Sequence, residues 1–374
     1  MNGRLVDFSL DPAITYLNHA SFGCPTRAGL DRAEARRRRI ERDTAVALGP
    51  ELDEELVSQA EAVEAAIGAA PGSVALVENT TAGAAALWAS LPWSTDTRVF
   101  VLDVEYESVV RGLQVACARS GATLVISHLP LPATEESVLA ALVQVNPAPT
   151  VVVMSAVTSS TALVMPIRAV ANWCAENGAQ LLVDGAHVVG HMPLNVEALG
   201  AAAVFGSLHK WLPVPRSVGF LWLEPALADV VRPAEVSLRW NSPSLADRFG
   251  WRGTWDPAAA FGVEAALAET AAWEQAGELA HATLVADDIA RSLANAGLID
   301  TAGEGMSTPR LRAFLVPRAE VDDLRGSLVQ SSVRAWTGRA ANGLTILRIS
   351  THIYSEPDDA TRVLESVRRA LNRA

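Results

Sequence analysis

Leu181-Leu-Val-Asp-Gly-Ala-His187 and, one predicted strand further on, Phe205-Gly-Ser-Leu-His-Lys-Trp211 decide how this chain is read. Each is an apolar run that gives way to polar residues where a strand would end. In an open α/β sheet that carboxyl edge is where ligands bind. Asp184 and Lys210 are therefore expected at one edge, and a carboxylate buried there needs a partner.

Working outward, short apolar runs alternate with alanine-rich segments of helical period from about Ala75 to Leu223. This is the pattern of a mostly parallel sheet flanked by helices. Seven strands are predicted: Ala75–Val77, Arg98–Asp103, Thr123–Ser127, Thr150–Ala156, Gln180–Asp184, Ala202–Gly206 and Val218–Leu223. Arg27 to Ala70 reads as helix, and its run Arg36–Arg39 as a solvated face balanced by Glu34, Glu41 and Asp43. Loop-forming residues from Pro233 to Pro257 mark a boundary. The chain thus divides into an N-terminal segment (1–26), a large domain (27–256) and a smaller α+β domain (257–374). The smaller unit should hold a helix over Pro257–Ala276, strands near Arg312–Val316, Ser332–Trp336 and Thr345–Ser350, and a final helix over Glu356–Ala374.

The 374 residues are half hydrophobic and carry a formal net charge of −12, so no basic field exists to hold nucleic acid or an anionic membrane. Three cysteines, Cys24, Cys117 and Cys174, suggest neither a disulfide framework nor a zinc site, and no metal is expected. The stretch from Met1 to Pro12 lacks the pattern of an export signal, and no apolar run reaches the length of a membrane span, which fits a cytoplasmic setting.

Among the 30 basic residues, 29 are arginine and one is lysine, Lys210. Average usage would give roughly twenty lysines. Arginine replaces lysine wherever charge alone matters, but only an amine can deprotonate near neutral pH and form a Schiff base. A pyridoxal phosphate ring would satisfy both residues, its aldehyde joined to Lys210 and its pyridine nitrogen paired with Asp184. Its phosphate needs a cradle. Glu78-Asn-Thr-Thr-Ala-Gly83 supplies hydroxyls and free N–H groups where a strand turns into a helix, with Thr80 and Thr81 as anion ligands and Ser207 and His209 completing the shell.

Together with Leu17-Asn-His-Ala-Ser-Phe-Gly23, Trp251-Arg-Gly-Thr254 and Leu347-Arg-Ile-Ser350, these motifs resemble the class V aminotransferase superfamily of fold-type I pyridoxal phosphate enzymes, and within it the isopenicillin N epimerase-like group. The resemblance implies an external aldimine with an amino-acid substrate, followed by cleavage of a bond at Cα. It also implies that His187 lies near the ring hydroxyl, that Tyr106 stacks on the ring, and that Thr158 and Ser159 face the cofactor from another strand-end loop. Arg348 would receive the substrate carboxylate, with Asn18 and His19 at the mouth of the site. Thr254 would reach the phosphate of a neighbouring subunit, which implies a homodimer with shared active sites.

Departures from the family pattern, Ala156 in place of a frequent histidine and a turn after Lys210 poor in glycine, bear on the substrate and not on the cofactor. Gln330 to Leu347 contains no cysteine, which disfavours the desulfurase reaction. A carbon–sulfur lyase or related reaction on an S-substituted cysteine, in specialised metabolism, is favoured over epimerisation or transamination. Epimerisation benefits from a second acid on the opposite face, for which His19 and Tyr106 are the candidates. A noncatalytic descendant is disfavoured by intact Lys210 and Asp184, and a dinucleotide-binding dehydrogenase by the position of Gly303-Glu-Gly305.

Overall fold

The computed structural model describes residues 5–372. The chain enters through a two-residue strand, β1 (Thr15–Tyr16), and one helical turn, His19–Phe22. Three helices, Arg27–Ile40, Thr44–Ala47 and Pro50–Ile67, replace the single expected one. The breaks are local: Asp43 caps the short middle helix by accepting the Val46 N–H at 3.2 Å, and Pro50 restarts the chain at a first helical position. The Arg36–Arg39 run pairs with Glu34, Glu51, Glu55 and Asp256, so apart from Glu34 its counter-charges come from further along the chain than expected.

Seven strands then build the large sheet: β2 (Val74–Val77), β3 (Arg98–Leu102), β4 (Thr123–Ser127), β5 (Val151–Ser155), β6 (Gln180–Asp184), β7 (Ala203–Ser207) and β8 (Gly219–Leu223). Their order is β2-β8-β7-β6-β5-β3-β4, with β8 antiparallel to both neighbours and the others parallel. Helices cover both faces, which is why the strands read as continuous apolar runs. In β5, Val151 and Val153 join one core while Val152 and Met154 join the other; Val99 and Val101 of β3 separate from Phe100 and Leu102 in the same way.

A second sheet holds β9 (Ile299–Asp300), β10 (Leu311–Val316), β12 (Trp336–Arg339) and β13 (Thr345–Ser350) in the antiparallel order β12-β13-β10-β9. Helices Glu278–Asn295, Val321–Gln330 and Asp358–Leu371 close a separate core against it. The strand expected over Ser332–Trp336 divides between two sheets. Its first part, β11 (Val333–Arg334), pairs in parallel with β1, while the second begins β12 at Trp336. Asn18 continues that seam by bridging to Ser350. The opening residues are thereby stitched to the small domain. Gly23 then brings them against the large one: its φ is +65°, and a Cβ there would lie 1.8 Å from the carbonyl oxygen of His209. Among the described residues, no helix is long and apolar enough to cross a membrane.

Candidate active site

Because β2, β3, β5, β6 and β7 run in one direction, their carboxyl ends deliver Glu78–Thr81, Glu105–Tyr106, Ser155–Ser159, Asp184–His187 and Ser207–Lys210 to a single edge. Lys210 Nζ lies 3.3 Å from His187 Nε2. The Trp211 indole N–H donates to His187 Nδ1 at 3.3 Å, which leaves the ring proton of a neutral His187 on Nε2, facing the amine. Burial and the nearby cations of Lys210 and Arg348 hold His187 well below the ordinary histidine range. Burial also lowers Lys210, to about 8; Asp184 opposes that shift and Arg348 adds to it.

Asp184 is 3% exposed and accepts the Ala186 N–H at 2.7 Å. Burial and then the neighbouring Glu105 carboxylate push it up to about 7, against the pull of Lys210. Glu105 escaped the sequence reading although it precedes Tyr106 at a strand end, which is the signal that could have found it. Its carboxylate accepts the Ser155 N–H at 2.7 Å, the Ser155 hydroxyl, and the Tyr106 N–H at 2.9 Å. Tyr106 is 43% exposed, and its ring centroid stands 5.7 Å from Lys210 Nζ.

At the other end of the edge, the hydroxyls of Thr80 and Ser207 are 2.8 Å apart, and the Thr80 N–H donates to Ser207 Oγ at 3.2 Å. Asn79 caps the helix Thr80–Ser90 by accepting the Ala82 N–H at 3.0 Å, and Thr81 is exposed in its first turn. His209 Nδ1 lies 2.7 Å from the Val218 carbonyl oxygen, so this ring also braces the turn between β7 and β8. Thr254 is exposed; its neighbour Arg252 pairs with Glu78 at 3.2 Å, which lays the Trp251–Thr254 loop beside the cradle of the same chain.

Arg348, on β13, reaches the edge from the small domain. It donates through Nη1 to the Ser159 carbonyl at 2.7 Å and the Ser159 hydroxyl at 3.2 Å, and through Nη2 to Ser21 Oγ at 2.6 Å and Asn18 Oδ1 at 3.4 Å. All four partners are neutral oxygens, Nε has no partner, and burial lowers the guanidinium to about 10. A salt bridge within the small domain does not account for this residue. Ser21, which the sequence reading passed over, links Arg348 to Asn18 through a further 2.6 Å hydrogen bond. Thr158 turns into its own loop, bonding Thr161 at 2.7 Å and the Leu163 N–H at 2.8 Å, while Ser159 meets Arg348.

His19, expected at the mouth of the site, is fully buried. Its Nδ1 is hydrogen-bonded to the Tyr354 hydroxyl at 2.9 Å, its ring stacks on His352 at 3.9 Å, and burial drives its pKa down to about 3. All three cysteines are buried, with burial raising each thiol.

A family model described as Aminotransferase class-V matches residues 42–363. The chain belongs to that family. It is 29% identical over 256 residues to the isopenicillin N epimerase of Streptomyces clavuligerus, which covers 66% of this chain and 64% of that protein. It is also 29% identical over 259 residues to the putative L-cysteine desulfhydrase 2 of Oryza sativa subsp. japonica, with 64% and 52% covered. The matches thus span less than two thirds of the length of these curated relatives. Among solved structures, the cystine C–S lyase C-DES with cysteine persulfide superposes with a TM-score of 0.84 at 19% identity, over 98% of this chain and 99% of that one. The Escherichia coli cysteine desulfurase CsdA gives 0.81 at 18% identity, over 100% and 99%. These likenesses establish the fold-type I architecture.

Pyridoxal 5′-phosphate is the cofactor of this class V chain, and the residues present fit it. A buried carboxylate lacks a full cationic partner, an amine is held near 8, and paired hydroxyls flank a helix N-terminus.

Proposed function

We propose that this class V chain is a pyridoxal phosphate-dependent carbon–sulfur lyase, or catalyses a closely related reaction, acting on an S-substituted cysteine. The observation that carries an amino-acid substrate is Arg348: a buried guanidinium on neutral oxygens, with its charge unmatched, suits a bidentate carboxylate.

In this reading the cofactor, when bound, supplies the electron sink for the Cα carbanion. Lys210 would hold the cofactor, and its amine would serve as the base at Cα: burial lowers it to about 8, so roughly a tenth of it is unprotonated at pH 7, against fewer than about one in a thousand of an ordinary lysine. Asp184 would pair with the ring nitrogen and favour its protonation, and His187, with its Nε2 proton toward Lys210, would meet the ring oxygen. Thr80, Thr81, Ser207 and His209 hold the phosphate, Tyr106 covers the ring, and Ser159, Asn18 and Ser21 aim Arg348. Thr158 sets the loop beneath Ser159, and Thr254 completes the phosphate shell of a partner subunit in a homodimer. The tying of His19 to Tyr354 removes one of the two candidate opposite-face acids and favours elimination, which needs Lys210 alone. Buried thiols that burial keeps protonated support the case against a desulfurase, whose chemistry needs a mobile nucleophilic cysteine.

An epimerase is the second reading, favoured by the relative of that name and by Tyr106 beside Lys210. Incubation of the cofactor-loaded protein with S-substituted cysteines in heavy water separates the two. Pyruvate and free thiol are expected; deuterium at an inverted Cα without pyruvate would establish epimerisation instead.

A further inference from the structure

Glu105 is an acid that the proposed reaction does not use directly, yet it is built into the floor of the site. Its carboxylate is fixed at three points, two on Ser155 and one on the Tyr106 N–H. Ser155 is the register partner of Asp184 across β5 and β6, and the Asp184 carbonyl accepts the Ala156 N–H at 2.8 Å. A second carboxylate therefore stands at the end of the strand beside Asp184. Lys210, from the turn after β7, acts on Asp184 directly, and Tyr106, from the loop after β3, donates its N–H to Glu105; neutral His187 from the turn after β6 and Arg348 from β13 act on Lys210. Only Lys210 and Arg348 are cationic, and Arg348 is given over to the opposite side of the site.

We propose that Glu105 is a positioning residue for the cofactor ring, its charge adding to that of Asp184 so that the ring nitrogen stays protonated at neutral pH. Resting on the cofactor assignment above, this gives one side chain two tasks. Through its charge it favours a cation at the floor, and through its bonds to Ser155 and the Tyr106 N–H it locks the ring-covering residue to the strand end that carries the aspartate. A merely structural Glu105 would perform the second task without the first.

The test uses protein loaded with pyridoxal 5′-phosphate labelled with nitrogen-15 at the ring, followed by NMR across pH, with cofactor affinity measured by absorbance titration. In the wild type the ring nitrogen is expected to stay protonated through pH 8. Glu105→Gln keeps the shape and removes the charge; it should lose the ring proton about one unit lower and weaken cofactor binding about tenfold. Glu105→Asp keeps the charge and should stay within about half a unit of the wild type in ring protonation. Ser155→Ala, a milder change in case the glutamine variant fails to fold, should shift ring protonation in the same direction by less. A wild-type profile in Glu105→Gln or Ser155→Ala, or equal loss in the aspartate and glutamine variants, overturns the proposal. A wild-type protein that does not take up the cofactor would instead overturn the functional reading on which it rests.

Discussion

The two walls of the site carry opposite electrostatic debts. On the large-domain wall, Asp184 and Glu105 stand together with Lys210 as their nearest cation, and burial raises both acids. On the small-domain wall, Arg348 sits among neutral oxygens with no carboxylate within salt-bridge reach among the described residues. One wall holds two acids and a single lysine, the other a guanidinium with no acid. A protonated pyridine on one side and an α-carboxylate on the other would balance both.

The contrast can be broken most severely at Lys210. Lys210→Ala should abolish the visible absorbance of the loaded protein and lower turnover by at least about 10³-fold, read by pyruvate release. On the opposite wall, Arg348→Ala should leave the cofactor spectrum intact while kcat/KM for the amino acid falls about 10²- to 10³-fold, from the loss of two charge-assisted hydrogen bonds. Equal loss of cofactor in both variants would show that the walls are not separable.

Asp184→Asn tests the sign of the floor. Burial raises the Asp184 pKa from 3.8 to about 7, so its contribution to folding is complete below 3.8 and is lost as the pH climbs through 7. The cofactor-free asparagine variant should therefore gain stability relative to the wild type between pH 4 and 8, by on the order of 3 kcal/mol, measured by thermal melts at each pH. With cofactor bound, the ranking should reverse. The same variant removes the carboxylate that raises Lys210, so the pH at which cofactor capture accelerates, near 8 in the wild type, should move down; stopped-flow absorbance reads this. The smallest effect belongs to Ser21→Ala, which takes one hydrogen bond from Arg348 and should raise KM about fivefold with kcat nearly unchanged.

Much of the large-domain wall was legible in the sequence because a parallel strand buried on both faces announces its own end. Gln180–Asp184 coincides with the observed β6, and the residues just past such ends are those that converge. Glu105 was missed because one acid in a polar loop has no periodicity to mark it; its place at a strand end hints at the site, and its bonds to Ser155 fix it there. The seam of β1 with β11 was equally hidden, since two-residue strands are shorter than any pattern. His19 was placed by its motif near the mouth, but the imidazole stacks against His352, a contact set by residues more than three hundred positions away.

That last distance has a bearing on how the protein is made. β1 finds its strand neighbour in Val333–Arg334, and Asn18 and Ser21 meet Arg348 later still. β1 must therefore wait for its sheet partner until more than three hundred further residues have been made. The large sheet has all its strands once β8 is made, whereas the wall that carries Arg348 exists only once synthesis has passed β13. Contacts of such sequence separation form slowly. The strand ends that carry Asp184 and Lys210 can thus be assembled well before Arg348 arrives to face them.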